Sequence, residues 1–364
     1  MFMSTQPSAG KRPATAEELA SRPVRFAIVG TGGMGGNHAR NLAGSPHAEV
    51  TWLVDVDTDR ANKLAADIGG KVTADMEEAF ASDDVDVALI ALPTGLHRMG
   101  VEAAAKYKLH VFCEKPIART NEDARAMTKA CEDAGVTMMV GHVVRFFSEY
   151  MRVKEQLEAG TLGEIAMVRG SRLNPPVMER SPWFADVEKS GGVVLDLMIH
   201  EIDTFRWFFG DVERLFAHGL SFTEWHTKRD HAIATIKFRS GVIAHCEASW
   251  AHSAFRTSLE VAGSKGLIKH SSFDSATLTF EPSTGIDYDG IGQRSKAFSY
   301  MRPTNEPPHL RELLVFIDCL RTGTPVPVDG DEATRTLIVA NAVLDSMREG
   351  KPVYFNEDGT VKQA

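Results

Sequence analysis

Asp196, His200 and Asp203 interrupt an otherwise apolar run, SGGVVLDLMIHEIDTFRW, from Ser190 to Trp207. At roughly 100° per residue the three fall within an arc of about 60°, a turn apart, while apolar side chains cover most of the remaining circumference. A helix that is apolar nearly all round is normally buried. Buried carboxylates and imidazoles need partners or a ligand, so the stripe either closes an internal hydrogen-bond network or faces a cavity where chemistry happens. A metal site is not expected, because three ligands strung along one helical stripe do not converge on a single ion.

Lys115 is the second candidate. It lies in CEKP, Cys113 to Pro116, at the end of an apolar strand, and the carboxyl edge of a parallel sheet is where ligands bind in doubly wound folds. Oxidation of a secondary alcohol needs a base of near-neutral pKa at the hydroxyl while hydride leaves carbon. His200 suits that task. A Lys115 cation near the same oxygen would stabilise the developing alkoxide and hold a nearby histidine in its neutral, accepting form. Asp196 would bind another substrate hydroxyl or orient the imidazole. Plainer roles are open to each: a satisfied core histidine, a capping aspartate beside a glycine pair, a solvated loop lysine. Asp203 has the weaker claim, with pairing to an arginine such as Arg206, or to backbone, as the alternative.

The elements that must position these residues divide into two patterns. From Val24 to about His142, apolar runs (VRFAIVG, EVTWLVD, VDVALIALP, HVFCEK, TMMVGH) alternate with helical segments such as TDRANKLAADIG and NEDARAMTKACEDAG. Continuous apolar strands separated by helices imply a parallel sheet covered on both faces. Beyond SEYMRVKEQLEAG, the stretches AIATIKFRSGVIAHCEASWAH and TSLEVAGSKGLIKH read as long strands joined by tight turns, hence antiparallel hairpins. Two helices ending at glycine follow, in PPHLRELLVFIDCLRTG and DEATRTLIVANAVLDSMREG. The expected fold is α/β: a Rossmann domain over residues 24–145, then an α+β domain with a large, mainly antiparallel open sheet over 146–364, preceded by a flexible tail, 1–23.

AIVGTGGMGGNHARNLAG follows a strand and leads into a helix. Gly30 permits the tight turn, Gly32 lets backbone approach a pyrophosphate, and Gly35 allows close packing of helix on strand; Gly33 and Met34 complete the loop. The phosphates would meet a helix N-terminus, where free N–H groups and the dipole favour anions. Asp55, 20 residues after Gly35, would accept hydrogen bonds from the adenosine ribose and repel a 2′-phosphate, so NAD is preferred to NADP, with Arg60 nearby able to soften the choice.

GTGGMGG, the PTGLH of Pro93 to His97, EKP at Glu114 to Pro116, GHVVRF around Arg145 and GGVVLDLMIHEID from Gly191 to Asp203 resemble, in order and spacing, the glucose-fructose oxidoreductase, inositol dehydrogenase and MocA family. The likeness covers nearly everything after residue 23. It implies that Lys115, Asp196 and His200 are catalytic and that Thr94, His97 and Glu114, with Lys115, line the nicotinamide ribose side of the cofactor site. Arg145 and Trp183 are placed by it near the substrate or the nicotinamide. It also implies a C-terminal sheet that supports homodimers or homotetramers, and a sugar, cyclitol or polyol substrate. Reduction of a non-sugar carbonyl, an imine or a tetrapyrrole on the same fold is the alternative; a non-catalytic NAD-sensing regulator is a more distant one.

Bulk properties agree. A net charge of -9 opposes binding to nucleic acid or anionic membrane. The cysteines, Cys113, Cys131, Cys246 and Cys319, form no CxxC pair or scaffold and read as reduced core thiols. No long apolar run is present, so a cytoplasmic protein is expected. His226 and His231 read as surface histidines, and Met138 and Met139 as core.

Overall fold

The computed structural model of the chain describes residues 12–177, 182–220, 231–274, 278–282, 298–299 and 306–362; His226 lies outside them. Contacts divide the chain into unit 1, Met1–Val143 with Glu306–Thr334, and unit 2, Val144–Asn305 with Arg335–Ala364.

In unit 1 the apolar runs become β1 (Val24–Val29), β2 (Ala48–Val54), β4 (Val87–Ile90), β5 (His110–Glu114) and β6 (Met138–Gly141), with β3 (Lys71–Thr73) added between the second and third of them. Three residues are too short a run to announce a strand by composition. All neighbours pair in parallel, in the order β3-β2-β1-β4-β5-β6, which is the doubly wound order with its reversal between β1 and β4. Ligands bind at the carboxyl ends flanking that reversal. Helices α1 (Ala16–Ala20), α2 (Gly33–Ala43), α3 (Thr58–Ile68), α4 (Met76–Ala81), α5 (His97–Lys106) and α6 (Asn121–Ala134) belong to this unit. Met138 and Met139 are buried, as are all four cysteines.

Two expected boundaries need correction. The segment 1–23, expected to be flexible, holds a helix in its described part: Thr15 caps α1, its hydroxyl accepting from the Glu18 amide while Glu18 accepts from the Thr15 amide, and Leu19 is fully buried. This is a capping box, which nucleates a turn and satisfies two otherwise orphaned amides. The second correction concerns the C-terminal region. Residues 306–334, which include the helix Pro308–Thr322, belong with unit 1, where Arg321 donates to the Leu19 and Arg22 carbonyls.

Unit 2 opens with α7 (Ser148–Glu158) and contains β7 (Ile165–Leu173), α8 (Val187–Ser190), α9 (Ile199–Phe209), β8 (Val212–Leu220), β9 (His231–Phe238), β10 (Ile243–Ser249), β11 (Arg256–Gly263), β12 (Gly266–Ser271), β13 (Leu278–Pro282) and β14 (Phe298–Ser299). Pro308–Thr322 is α10, Gly330–Glu349 is α11, which crosses the division, and Val353–Tyr354 is β15. Among the described residues the sheet runs β14-β13-β12-β11-β7-β10-β9-β8-β15. The expected hairpins are present as β9–β10 and β11–β12, and β7–β10 is a parallel pair in the otherwise antiparallel sheet. Burial alternates along β9 and β10, so one face packs inward while Ile233 and Ile243 stand exposed on the other. His231, the first residue of β9, is half-buried. No helix among the described residues is long and apolar enough to cross a membrane.

Candidate active site

Unit 1 supplies a dinucleotide cradle. Gly30 has φ +89°, and a Cβ there would press on the Ala91 carbonyl; a Cβ on Gly35 would overlap the Gly30 carbonyl. Those two glycines are required by the close passage of β1, the loop and α2. Gly32 and Gly33 differ, because a Cβ on either would meet nothing within 4 Å. The space beside them is open at the head of α2, where amides and dipole favour a pyrophosphate. Met34 is partly exposed on the same turn. A groove of about 460 Å³ runs from this loop past Arg40, Asp57, Arg60 and Lys63.

Asp55 follows β2, buried, and its carboxylate accepts from the Thr31 amide and hydroxyl, the Asp57 amide and Arg60, the last at 2.7 Å. Burial works to raise its pKa, but the bonds from Arg60 and the two amides outweigh it and hold the carboxyl below its ordinary value. An ionised acceptor at the end of β2 fits an adenosine ribose. With the open glycine turn, the residues present fit a dinucleotide.

The ends of β4 and β5 are less simple than expected. Thr94 is buried in a short 3₁₀ turn, Thr94–Leu96. His97 does not present a ring nitrogen to a ligand: it is 1% exposed, with Nδ1 3.0 Å from the Pro116 carbonyl and Nε2 2.8 Å from that of Leu92. Burial pushes its pKa down against the pull of these carbonyls. His97 therefore ties the β4 loop to the Pro116 turn. Glu114 also points inward, 6% exposed, with Oε1 2.6 Å from His38 Nε2 and Oε2 accepting from the Lys115 amide at 3.0 Å. Burial opposes its charge, and the hydrogen bond and charge of His38 overcome that, leaving the pKa below the usual glutamate value. Both side chains are thus engaged by partners within unit 1. Lys115 itself is half-buried and precedes a cis bond to Pro116.

In unit 2 the candidate helix is not a uniform α-helix. Gly191 and Gly192 have φ +72° and +63°, and a Cβ on Gly191 would strike the Leu195 side chain. The chain then winds through a π-turn, Val194–Met198, before α9. Such turns insert a residue into the helical phase and recur at functional sites. Asp196 lies in the wide turn and His200 just after it, 8% exposed. The Trp250 indole donates to Asp196 Oδ2 at 3.2 Å. Trp183 stacks on Phe184 with ring centroids 4.1 Å apart, and Phe184 meets Trp250 edge-on. Trp183, Phe184, Trp250 and Asp196 are thus linked in one run of contacts.

Arg145 and Asp203 pair with each other instead of facing a ligand. The guanidinium donates through Nε and Nη2 to the two carboxylate oxygens at 2.8 and 2.7 Å, both residues are buried, and Thr336 adds a third donor. Arg206, the partner suggested by sequence, donates to Thr336. A second buried pair, Arg172 with Glu201, lies on β7 and α9. Sequence reasoning missed Trp250, Arg172 and the buried His38, each brought in by a distant element with no local spacing to signal it. Arg40 and Lys63 had a visible signal, being basic residues on the first two helices after the glycine turn.

Residues 24–142 match an oxidoreductase family with an NAD-binding Rossmann fold, and residues 150–269 match the GFO/IDH/MocA C-terminal domain. The chain belongs to the Gfo/Idh/MocA oxidoreductase family. It is similar to a myo-inositol 2-dehydrogenase of Thermotoga maritima, 29% identical over 92% of this chain and 99% of that protein. A scyllo-inositol 2-dehydrogenase (NAD(+)) of Bacillus subtilis is 30% identical over 92% and 96% of the two chains. Among solved structures, a probable dehydrogenase from Thermotoga maritima superposes with a TM-score of 0.77 at 28% identity, covering 91% of this chain and 98% of that one. Unit 1 thus carries an NAD-binding Rossmann domain, and the protein is an oxidoreductase.

Proposed function

We propose that this oxidoreductase oxidises a secondary alcohol of a cyclitol or a closely related sugar or polyol. The full-length likeness to inositol 2-dehydrogenases carries this reading, since a dinucleotide cradle alone says nothing of the second substrate. Bound NAD supplies the hydride acceptor. His200 takes the hydroxyl proton, for which an imidazole is matched to neutral pH. Lys115 supplies positive charge to the developing alkoxide. Asp196, held by the Trp250 indole, accepts a hydrogen bond from a neighbouring hydroxyl of the ring, and Trp183 offers an apolar face to its C–H side. Arg145 serves the site at one remove, through Asp203 in the turn after His200. Asp55 favours NAD over NADP. We further place the enzyme in the cytoplasm, assembled into dimers or tetramers through the exposed face of the nine-stranded sheet.

A screen of NAD reduction over inositols, aldoses, sugar acids and alditols tests the reading, with His200→Ala and Lys115→Ala as controls. The expected result is turnover of a cyclitol or related polyol, with each variant losing about 10²- to 10⁴-fold in kcat and retaining NAD affinity. Undiminished turnover in both variants, or tight NAD binding with no hydride transfer to it from any of these alcohols, overturns it.

A further inference from the structure

Behind the Lys115 turn, inside unit 1, lies a cluster that the hydride chemistry does not use. Glu312 on α10 is fully buried, and neither of its carboxyl oxygens has a hydrogen-bond partner. His38 on α2 is fully buried beside it, and Glu114 at the end of β5 is 6% exposed. One ligand-capable atom from each of the three lies within 4.8 Å of the others. His309, one turn before that on α10, places its ring centroid 5.9 Å from that of His38. Buried polar groups in folded proteins are almost always satisfied, and an orphaned buried carboxyl calls for an occupant such as an ion.

Charge and donor type narrow the occupant. Burial and the neighbouring Glu114 charge push the Glu312 carboxyl's pKa well up, so the two carboxyl groups can be ionised together in this dry interior only with a cation to balance them, and a divalent ion balances both at once. One nitrogen and two oxygens form a donor set for zinc-like ions, bound at about 2.0–2.2 Å. Tetrahedral ligands at such bond lengths stand about 3.4 Å apart; the present donor atoms lie within 4.8 Å of one another, and the hydrogen bond of 2.6 Å between His38 and Glu114 has to open as the ion enters. His309 or a water would be the fourth ligand.

We infer that His38, Glu114 and Glu312 form a structural site for one divalent transition-metal ion of the zinc class. Its burial excludes substrate. Its effect is to fasten α2, the end of β5 and α10 together immediately behind the backbone of Lys115.

The test uses the full-length protein, dialysed against EDTA and then incubated with Zn²⁺ or Mn²⁺ and desalted. Metal analysis should find one equivalent per chain, with a melting temperature raised by about 5 °C or more over the EDTA-treated protein, because a ligand that binds only the folded state stabilises it. Glu312→Gln should retain none and show no metal-dependent shift. If that variant does not fold, His38→Gln serves, and the wild type titrated with Co²⁺ should develop the visible d–d absorption of a nitrogen and oxygen shell. Wild-type protein that takes up no ion overturns the site and leaves a proton on Glu312 as its neutralising cation. Equal uptake by the variant marks adventitious binding and overturns it as well.

Discussion

In unit 1 the candidate cofactor residues stand on backbone that dictates their identity, whereas in unit 2 the candidate catalytic residues stand on a helix held by partners far away in sequence. Gly30 needs its positive φ, Gly35 has no room for a Cβ, and Asp55 collects donors no more than 24 residues away. Asp203, by contrast, takes hydrogen bonds from residues 58 and 133 positions away, and Asp196 from one 54 positions away. A locally encoded site tolerates change elsewhere in the fold. One encoded by distant ion pairs is only as good as its tertiary structure.

That contrast can be broken by substitution. Asp203→Ala strands the Arg145 guanidinium in the interior, and loss of one member of a buried pair costs about 3–5 kcal/mol. Chemical denaturation should show a loss of that size, and turnover should fall with it while NAD affinity, measured on the folded fraction, is kept. Unchanged stability would dissolve the distinction. The opposite signature belongs to Gly35→Ala: the new methyl overlaps the Gly30 carbonyl, and accommodating an overpacked group costs about 1–3 kcal/mol. Calorimetric titration should find NAD binding weakened by about 10- to 100-fold, with no change in the response of unit 2.

Unit 1 also holds a long-range ion knot, which sharpens the comparison. Asp86 accepts from Arg22 at 2.6 Å and from Arg25 at 2.8 Å. Burial opposes its charge, but the two arginines prevail and bring the pKa down to about 2. A carboxyl whose folded pKa lies below its unfolded value stabilises fully above the unfolded value, and the contribution is lost as pH falls from about 4 toward 2. The drop in urea unfolding free energy between pH 6 and pH 3 should therefore be smaller in Asp86→Asn than in wild type, by about 1 kcal/mol. An effect of similar size is expected at Asp55. Asp55→Ala, which leaves Arg60 and Lys63 in the groove, should weaken NAD by about 10-fold and narrow the preference over NADP, since a hydrogen bond to a charged group contributes about 1.5–3 kcal/mol. Retention of full NAD selectivity would show that the ribose is read elsewhere.

Much of this architecture was legible because it rests on local periodicity. The apolar runs of β1, β2, β4, β5 and β6, the glycine turn and both hairpins announced themselves, as did the helices ending at Gly323 and Gly350, since each follows from chain geometry over a few residues. Lys115 and His200 are proposed from motif and residue chemistry. What stayed hidden had no short-range signature. A stripe drawn at 100° per residue takes the helix after Gly192 as uniform, and the π-turn at Val194–Met198 shifts that phase. His97 and Glu114 looked like cofactor contacts because their motifs border the site; their side chains turn inward because carbonyls and His38 wait there. Arg145 offered itself as a substrate cation until Asp203 engaged its Nε–Nη2 edge. The Thr15-x-x-Glu18 pattern was present all along, and was masked by a leader rich in serine, proline and alanine.

That small capped helix bears on how the protein is handled. Leu19 sits at zero exposure, its carbonyl is gripped by Arg321, and the Ala14 carbonyl lies 3.0 Å from a ring nitrogen of His110. Trimming the gene back to the first strand would strip a plug from the nucleotide-binding unit and leave an arginine and a histidine to solvate where they had been engaged. A cut ahead of Arg12 spares all of these contacts, and an affinity handle belongs there.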